Sequence, residues 1–171
     1  GAFVKYGDKV LNHQSITPED LPDLTSAVKN SGLFAHFNAW NTLICEGELG
    51  DGNGYVKANG LLPQGDRIDM IVTDDLEKTV EETEHILKAI VFSKGDHHAL
   101  QNLRSHFRNH PTLQTVASSK DNLEILRRDV SKAVGIQKLI DHLGIQREEV
   151  MAIGYEENDL PMISFAGLGI A

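Results

Sequence analysis

The run Val150-Met151-Ala152-Ile153-Gly154-Tyr155-Glu156-Glu157-Asn158-Asp159 decides how this chain folds. Four apolar residues in succession, without alternation, predict a short strand buried on both faces of a parallel sheet. That strand delivers its end into a turn crowded with oxygen donors, and the same turn opens a helix. In doubly wound sheets ligands collect beyond the carboxyl ends of the strands, and a helix start favours anions. A hard cation and an anion could therefore both sit at this turn.

Working backwards, Ser131 caps a helix whose Ile136, Leu139, Ile140 and Leu143 face inward and which Gly144 closes. Lys132 falls in its first turn, where a cation gains nothing from the helix dipole, so an anion nearby explains the residue better than helix stability does. A solvated lysine beside an acidic capped turn is the alternative. Working forwards, a polar loop leads to a short helix ending near Ala166, and Leu168-Gly169-Ile170-Ala171 reads as a second buried strand. Residues 129–171 thus run helix, strand, helix, strand, like half of a doubly wound sheet.

The preceding 128 residues have a different style. Val4, Tyr6 and Val10 around Gly7-Asp8 predict a hairpin. Thr17 is expected to cap a helix with Pro18 at its first position and Leu21, Leu24 and Val28 inward, ending near Gly32. Strands follow near 33–37 and 42–46. The glycine-rich segment 47–60, with Asp51-Gly52 and Asn53-Gly54, is expected to be a loop or hairpin tip; it lacks the closing Glu of a calcium loop and the spacing of a dinucleotide turn. Leu76, Val80, Thr83 and Leu87 mark an acidic amphipathic helix, 88–93 a buried strand, and Ala99, Leu100, Leu103 and Phe107 a helix stopped by Pro111. Residues 113–118 and 123–127 form an expected hairpin. Helices mixed with hairpins make this an α+β region.

Composition narrows the function. With 16 Lys plus Arg against 25 Asp plus Glu the net charge is −9, so no electrostatic footprint favours nucleic acid or an anionic membrane. The doublet Arg127-Arg128 reads as a solvated face. No apolar run reaches membrane-spanning length, and Gly1-Ala2-Phe3-Val4-Lys5-Tyr6 does not resemble a signal peptide, so a cytoplasmic address is the expectation. The single Cys45 excludes an intramolecular disulfide and a cysteine-based zinc cluster.

The segments Val130-Ser131-Lys132, Leu143-Gly144-Ile145, Glu148 to Gly154, Asn158-Asp159-Leu160-Pro161-Met162 and Ala166 to Ala171 resemble the C-terminal half of the Cof-type phosphatases of the haloacid dehalogenase-like superfamily. Ser118-Ser119, Leu123-Glu124-Ile125 and the α+β region before them are similar to the large cap of those enzymes, and the opening hairpin resembles the segment after their second motif. The resemblance implies an α/β fold: a core hairpin over 1–14, an α+β cap of the C2 type over 15–128, and a Rossmann-like core fragment over 129–171. It also implies an aspartyl-phosphate mechanism in which an Asp-x-Asp supplies nucleophile and general acid/base, while Mg²⁺ and a lysine neutralise the phosphoryl oxygens. By position, Lys132 matches the phosphate-neutralising lysine, Asn158 a polar phosphate contact, and Asp159 the acid that supports the metal.

Two departures accompany the match. No Asp-x-Asp occurs in the 171 residues; Ile71-Val72-Thr73-Asp74-Asp75 is the nearest run, but its acids are adjacent and it falls in the cap-like region. Tyr155 stands where the family has its metal-ligating Asp, and a neutral phenol is a poor ligand for a hard cation. The expectation is therefore a truncated or fragmentary relative of a Mg²⁺-dependent phosphatase for small phosphorylated metabolites such as sugar phosphates, inactive as this polypeptide. The alternative is a non-catalytic binding or assembly module of the same descent. Self-association through an exposed sheet edge is expected in either case. His106 and His110, four apart, have helical metal-ligand spacing without an evident third ligand, and Trp40 is expected to be packed or interfacial.

Overall fold

A computed structural model describes residues 1–50 and 53–171. Ten strands and six helices are found among the described residues, and the strands fall into three separate sheets. Strands β1 (Phe3–Tyr6) and β2 (Lys9–His13) form the expected hairpin, with Gly7 at φ 56° in its turn.

Helix α1 (Leu21–Ser31) begins one turn later than the sequence suggests. Thr17 Oγ1 instead donates to Asp20 Oδ2 at 2.9 Å, and the proline that fits the first helical turn is Pro22, not Pro18. Next come β3 (Phe34–Asn38), β4 (Thr42–Glu46), α2 (Gly54–Leu61), β5 (Asp69–Thr73), α3 (Leu76–Glu82) and β6 (Lys88–Phe92). Helix α4 (His97–Phe107), β7 (Leu113–Val116) and β8 (Asn122–Arg127) complete this region.

The expected loop over 47–60 is corrected in part: Asn53 Oδ1 accepts the Tyr55 N–H and starts α2, while Asp51 and Gly52 lie outside the described residues. Asn side chains are good caps, and here the cap outweighs the glycines as a local signal. Helix α3 is shorter than the apolar spacing implied. His85 takes φ 65° and redirects the chain, so that Leu87 donates its N–H to Asn38 O as part of the sheet approach rather than facing a helix.

These strands form one six-stranded sheet in the order β5-β4-β3-β6-β8-β7, antiparallel except for the β4–β5 pair. Alternation divides its faces. Phe37, Ile44, Ala89, Val91, Leu123 and Ile125 turn to one side and are sealed by Leu24 and Val28 of α1, Val80 of α3, and Leu100, Leu103 and Phe107 of α4. A fully buried side chain of this kind contributes roughly 1.5–3 kcal/mol, so this layer is the main source of stability. The other side carries His36, Asn38, Lys88, Ile90 and Glu124, a mixed polar set that is largely buried, with Tyr55 of α2 edge-on to His36 at 5.1 Å.

The remaining residues build a second layer. Helix α5 (Lys132–Leu143) is capped by Ser131, whose Oγ accepts the Val134 N–H, and ends at Gly144 in the left-handed region at φ 68°. Gly135 lets the opening hairpin approach: a Cβ there would stand 3.0 Å from the Gly1 Cα and 3.3 Å from a Val4 methyl. Strand β9 (Met151–Ile153) pairs in parallel with β10 (Leu168–Ile170), and α6 (Leu160–Phe165) connects them.

The parallel pairing agrees with the sequence, but the expected two-sided burial does not. Ala152 is buried, whereas Met151 and Ile153 are 61% and 63% exposed, and every residue of β10 is exposed. Two strands and the helices on one side cover a single face, and the apolar run records the other face as well.

Two stretches of chain, near 14–16 and 127–130, connect the six-stranded sheet to this second layer, and they run side by side. Gln14 Nε2 donates to Asp129 Oδ2 at 3.1 Å, Arg127 Nη1 to Ser15 O at 3.5 Å, and Arg127 is paired with Asp129.

Candidate phosphate-binding site

Lys132 is the first residue of α5, and its Nζ forms a direct ion pair with Asp159 Oδ1. Asp159 closes the turn after β9. Its other oxygen, Oδ2, accepts the Tyr155 and Glu156 N–H groups at 3.1 and 3.2 Å, so both carboxylate oxygens are engaged. The residue is 6% exposed, and the Lys132 ammonium first, then the backbone donors, hold its carboxyl below the usual carboxylate range against the opposing effect of burial. Gly154 makes this closeness possible. A Cβ at 154 would lie 2.5 Å from Asp159 Cβ, inside any real contact distance.

Asn158 is fixed from the other half of the molecule. Its N–H donates to Ala117 O at 3.1 Å, Glu157 Oε2 accepts the Ala117 N–H at 3.0 Å, and Glu157 Oε1 pairs with Arg104 of α4. The turn after β9 is therefore bound to the sheet layer through Glu157.

Between the layers lies a cavity of about 820 Å³. Lys132, Asn158 and Ser131 line it from one side; Lys88 and Glu124 of the sheet, Trp40 of the β3–β4 turn and Tyr55 of α2 line it from the other. Lys88 Nζ stands 2.9 Å from Glu124 Oε2 across β6 and β8. A second cavity of about 580 Å³ has Tyr55, Lys88 and Glu124 in common with the first as lining residues. Trp40, at the β3–β4 turn, is half exposed and stacked on Phe3 at 5.7 Å.

The structure thus brings Lys132, Asn158 and Asp159 together, and it leaves Tyr155 apart. The phenol is 85% exposed and does not line the cavity. The sequence reading missed Lys88, Glu124, His36 and Glu157. A charged residue in the apolar alternation of Leu123-Glu124-Ile125 was the available signal; nothing local announced that Lys88 would face it.

The donor set does not suit a magnesium ion. Asp159 has no free oxygen, Tyr155 offers a neutral phenol turned to solvent, and no group of three His, Cys, Asp or Glu side chains among the described residues is arranged for a metal. His106 and His110 do have a shared neighbour, Asp23 of α1, at 3.2 and 3.4 Å. One carboxylate between two imidazoles ties α1 to the end of α4. Arg128, read as solvated, donates to His110 O at 2.7 Å.

Comparison with known proteins places these features in context. A family model described as haloacid dehalogenase-like hydrolase matches residues 1–171. The chain is 49% identical over 49 residues to the 5-amino-6-(5-phospho-D-ribitylamino)uracil phosphatase YitU of Bacillus subtilis, a match that covers 29% of this chain and 18% of the relative. Among solved structures, a haloacid dehalogenase-like hydrolase from Bacteroides thetaiotaomicron superposes with a TM-score of 0.70 and 25% identity, covering 95% of this chain and 58% of that one. A sugar phosphatase of HAD subclass IIB has the same fold, with a TM-score of 0.71, 17% identity, and coverage of 98% and 59% respectively. The chain therefore spans somewhat more than half the length of the solved relatives it matches.

Proposed function

The chain belongs to the haloacid dehalogenase-like hydrolases, and from that premise we propose that residues 129–171 form the phosphate-holding side of a phosphatase site for small phosphorylated metabolites. On this reading residues 15–128 are the cap, residues 1–14 belong with the core, and the cavity between the layers receives the substrate. The observation that carries the proposal is the placement of Lys132 and Asn158 on one wall of that cavity. Lys132 Nζ supplies positive charge at a helix start, where an incoming phosphate also meets the favourable end of the dipole. Asp159 acts as a positioning residue that orients the ammonium, and Asn158 donates to a phosphoryl oxygen from the opposite side of the turn.

Sugar phosphates or a ribityl phosphate fit the class, in keeping with the activities named for the relatives. Phosphatases of this superfamily generally use Mg²⁺. As the residues present here do not fit that ion, no step is assigned to it in this polypeptide. The engaged Asp159 oxygens and the phenol at 155 favour anion binding over turnover by these 171 residues alone. A non-catalytic binding module is thus the second reading.

Calorimetric titration with ribose 5-phosphate tests the proposal. The unaltered chain should bind in the micromolar to millimolar range, and Lys132→Ala should weaken binding by about tenfold or more, the cost of one charge-assisted contact. Equal affinity in both forms would remove Lys132 from the site. No phosphate release from ribose 5-phosphate with Mg²⁺ is expected from the isolated polypeptide; steady turnover that disappears in Lys132→Ala would favour the enzyme reading instead.

A further inference from the structure

The six-stranded sheet ends in β7 on one side and in β5 on the other, and the two edges differ. No residue of β7 is exposed, whereas β5 shows Ile71 and Val72 to solvent at 38% and 56%, and Leu61 and Leu62, shortly before it in the chain, are exposed as well. A free edge is normally blunted by charge, proline or a covering element. The stretch Met70-Ile71-Val72 contains neither charge nor proline.

The backbone directions along β5 are settled at its start. Asp69 donates its N–H to Asn41 O at 2.8 Å, on the side of β4. Ile68 points the other way: its N–H donates to Asn59 Oδ1 and its carbonyl accepts from Asn59 Nδ2, both at 2.9 Å. The Asn59 amide of α2 thus takes, at Ile68, the place that a neighbouring strand would have. Alternation then turns the N–H and C=O of Met70 and Val72 outward, and among the described residues no strand pairs with them.

We propose that this edge pairs antiparallel with the same edge of a second copy of the chain, about a two-fold axis through Ile71, so that two sheets become one. With Ile71 opposite Ile71, Met70 and Val72 exchange both backbone bonds with Val72 and Met70 of the second copy. The neighbouring registers fail. Centring the axis on Met70 sets Val72 against Ile68, which Asn59 already holds, and centring it on Val72 sets Met70 against Asp74, beyond the strand end. Side chains match in the chosen register too. Ile71 shares a face with its β4 neighbour Ile44, part of the apolar layer under the helices, so two Ile71 side chains carry that layer across the axis. On the other face Met70 meets Val72. Asp69 comes opposite Thr73 rather than another acid, and Arg67 comes opposite Asp75, so unlike charges meet at both ends. The two-fold contact closes on itself and stops at a dimer. It is small, so the dissociation constant should be on the order of 100 μM.

Oxidative cross-linking of the full chain tests the register. Opposed residues that exchange no backbone bonds have Cα atoms about 4.5 Å apart, within disulfide range, whereas Val72 and its own copy would stand roughly 8–9 Å apart, outside it. Ile71→Cys should therefore form a covalent dimer about tenfold or more faster than Val72→Cys, although position 72 is the more exposed of the two. The native Cys45 is buried and does not compete. Val72→Pro removes an outward N–H that bonds nothing within one chain, a change an edge strand tolerates, and should weaken the dimer about tenfold or more by sedimentation equilibrium. Cross-linking at 72 as fast as at 71 overturns the proposal, whether or not the proline variant folds. So does a folded Val72→Pro that associates as strongly as the unaltered chain, which would move the contact elsewhere, as to β9 and β10.

Discussion

Asp159 shows how one side chain sets the geometry of the turn after β9. Its carboxylate receives Lys132 on one oxygen and two backbone donors on the other, an arrangement that an amide cannot copy. Asp159→Asn must turn its NH₂ either to Lys132 or to the backbone donors, so about 1.5 kcal/mol of stability should be lost at pH 7, a figure kept low because the lysine is partly solvated. The dependence on pH follows from the sign of the shift. The folded carboxyl titrates below its unfolded value, so its contribution is complete above pH about 4 and is lost as pH falls through the lower folded value. Urea unfolding at pH 7 and pH 3 should therefore show a difference between the wild type and Asp159→Asn that shrinks in acid. Gly154→Ala should be harsher than a surface change, by about 1–3 kcal/mol, since the new methyl meets Asp159 itself. Tyr155→Asp makes a separate test. A carboxylate at the strand end should bring measurable Mg²⁺ affinity by calorimetry where the phenol gives none, and equal binding by the two forms would mean that the turn has no metal-site geometry.

At the scale of elements, the helix that presents Lys132 depends on its first residue pair. Ser131→Ala removes the oxygen that accepts the Val134 N–H and should cost about 1 kcal/mol. Because Lys132 follows directly, ribose 5-phosphate affinity should fall with it, and a variant that loses stability but binds unchanged would show that the cap does not orient the lysine. This helix was legible in its bounds, because the Ser cap and Gly144 are local signals that the structure obeys; of its expected inward residues Ile140 is buried, whereas Leu143 in the last turn is 40% exposed. Strand β9 was legible in its pairing and not in its burial, because an apolar run reports that a face is suited to contact and not what contacts it. The start of α1 was misplaced by one turn because two prolines compete there, and only packing of Leu21, Leu24 and Val28 on the sheet decides between them. Lys132, Asn158 and Asp159 could be picked out by resemblance. Their partners could not, since Lys88 with Glu124 and Arg104 with Glu157 meet across 36 and 53 residues of chain.

For the whole molecule, the two-stranded sheet leaves Met151, Ile153, Leu168 and Ile170 exposed and both outer strand edges without a partner among the described residues. Such an edge favours strand addition, so the isolated polypeptide should self-associate; a single monomeric species by sedimentation at high concentration would argue against this. Among the described residues the two layers meet at the crossing near Gln14 and Asp129, at the stacking of Phe3 on Trp40, at Gln114 on Val130 O, and where Glu157 and Asn158 contact Arg104 and Ala117. The Glu157 bridge has a consequence for time as well as for shape. A molecule that sits between the layers and leaves as they part would have its residence set by how often that bridge opens. Glu157→Gln should then speed dissociation of ribose 5-phosphate more than it alters the final affinity, and equal dissociation rates by stopped-flow displacement would mean that the ligand leaves without the layers parting.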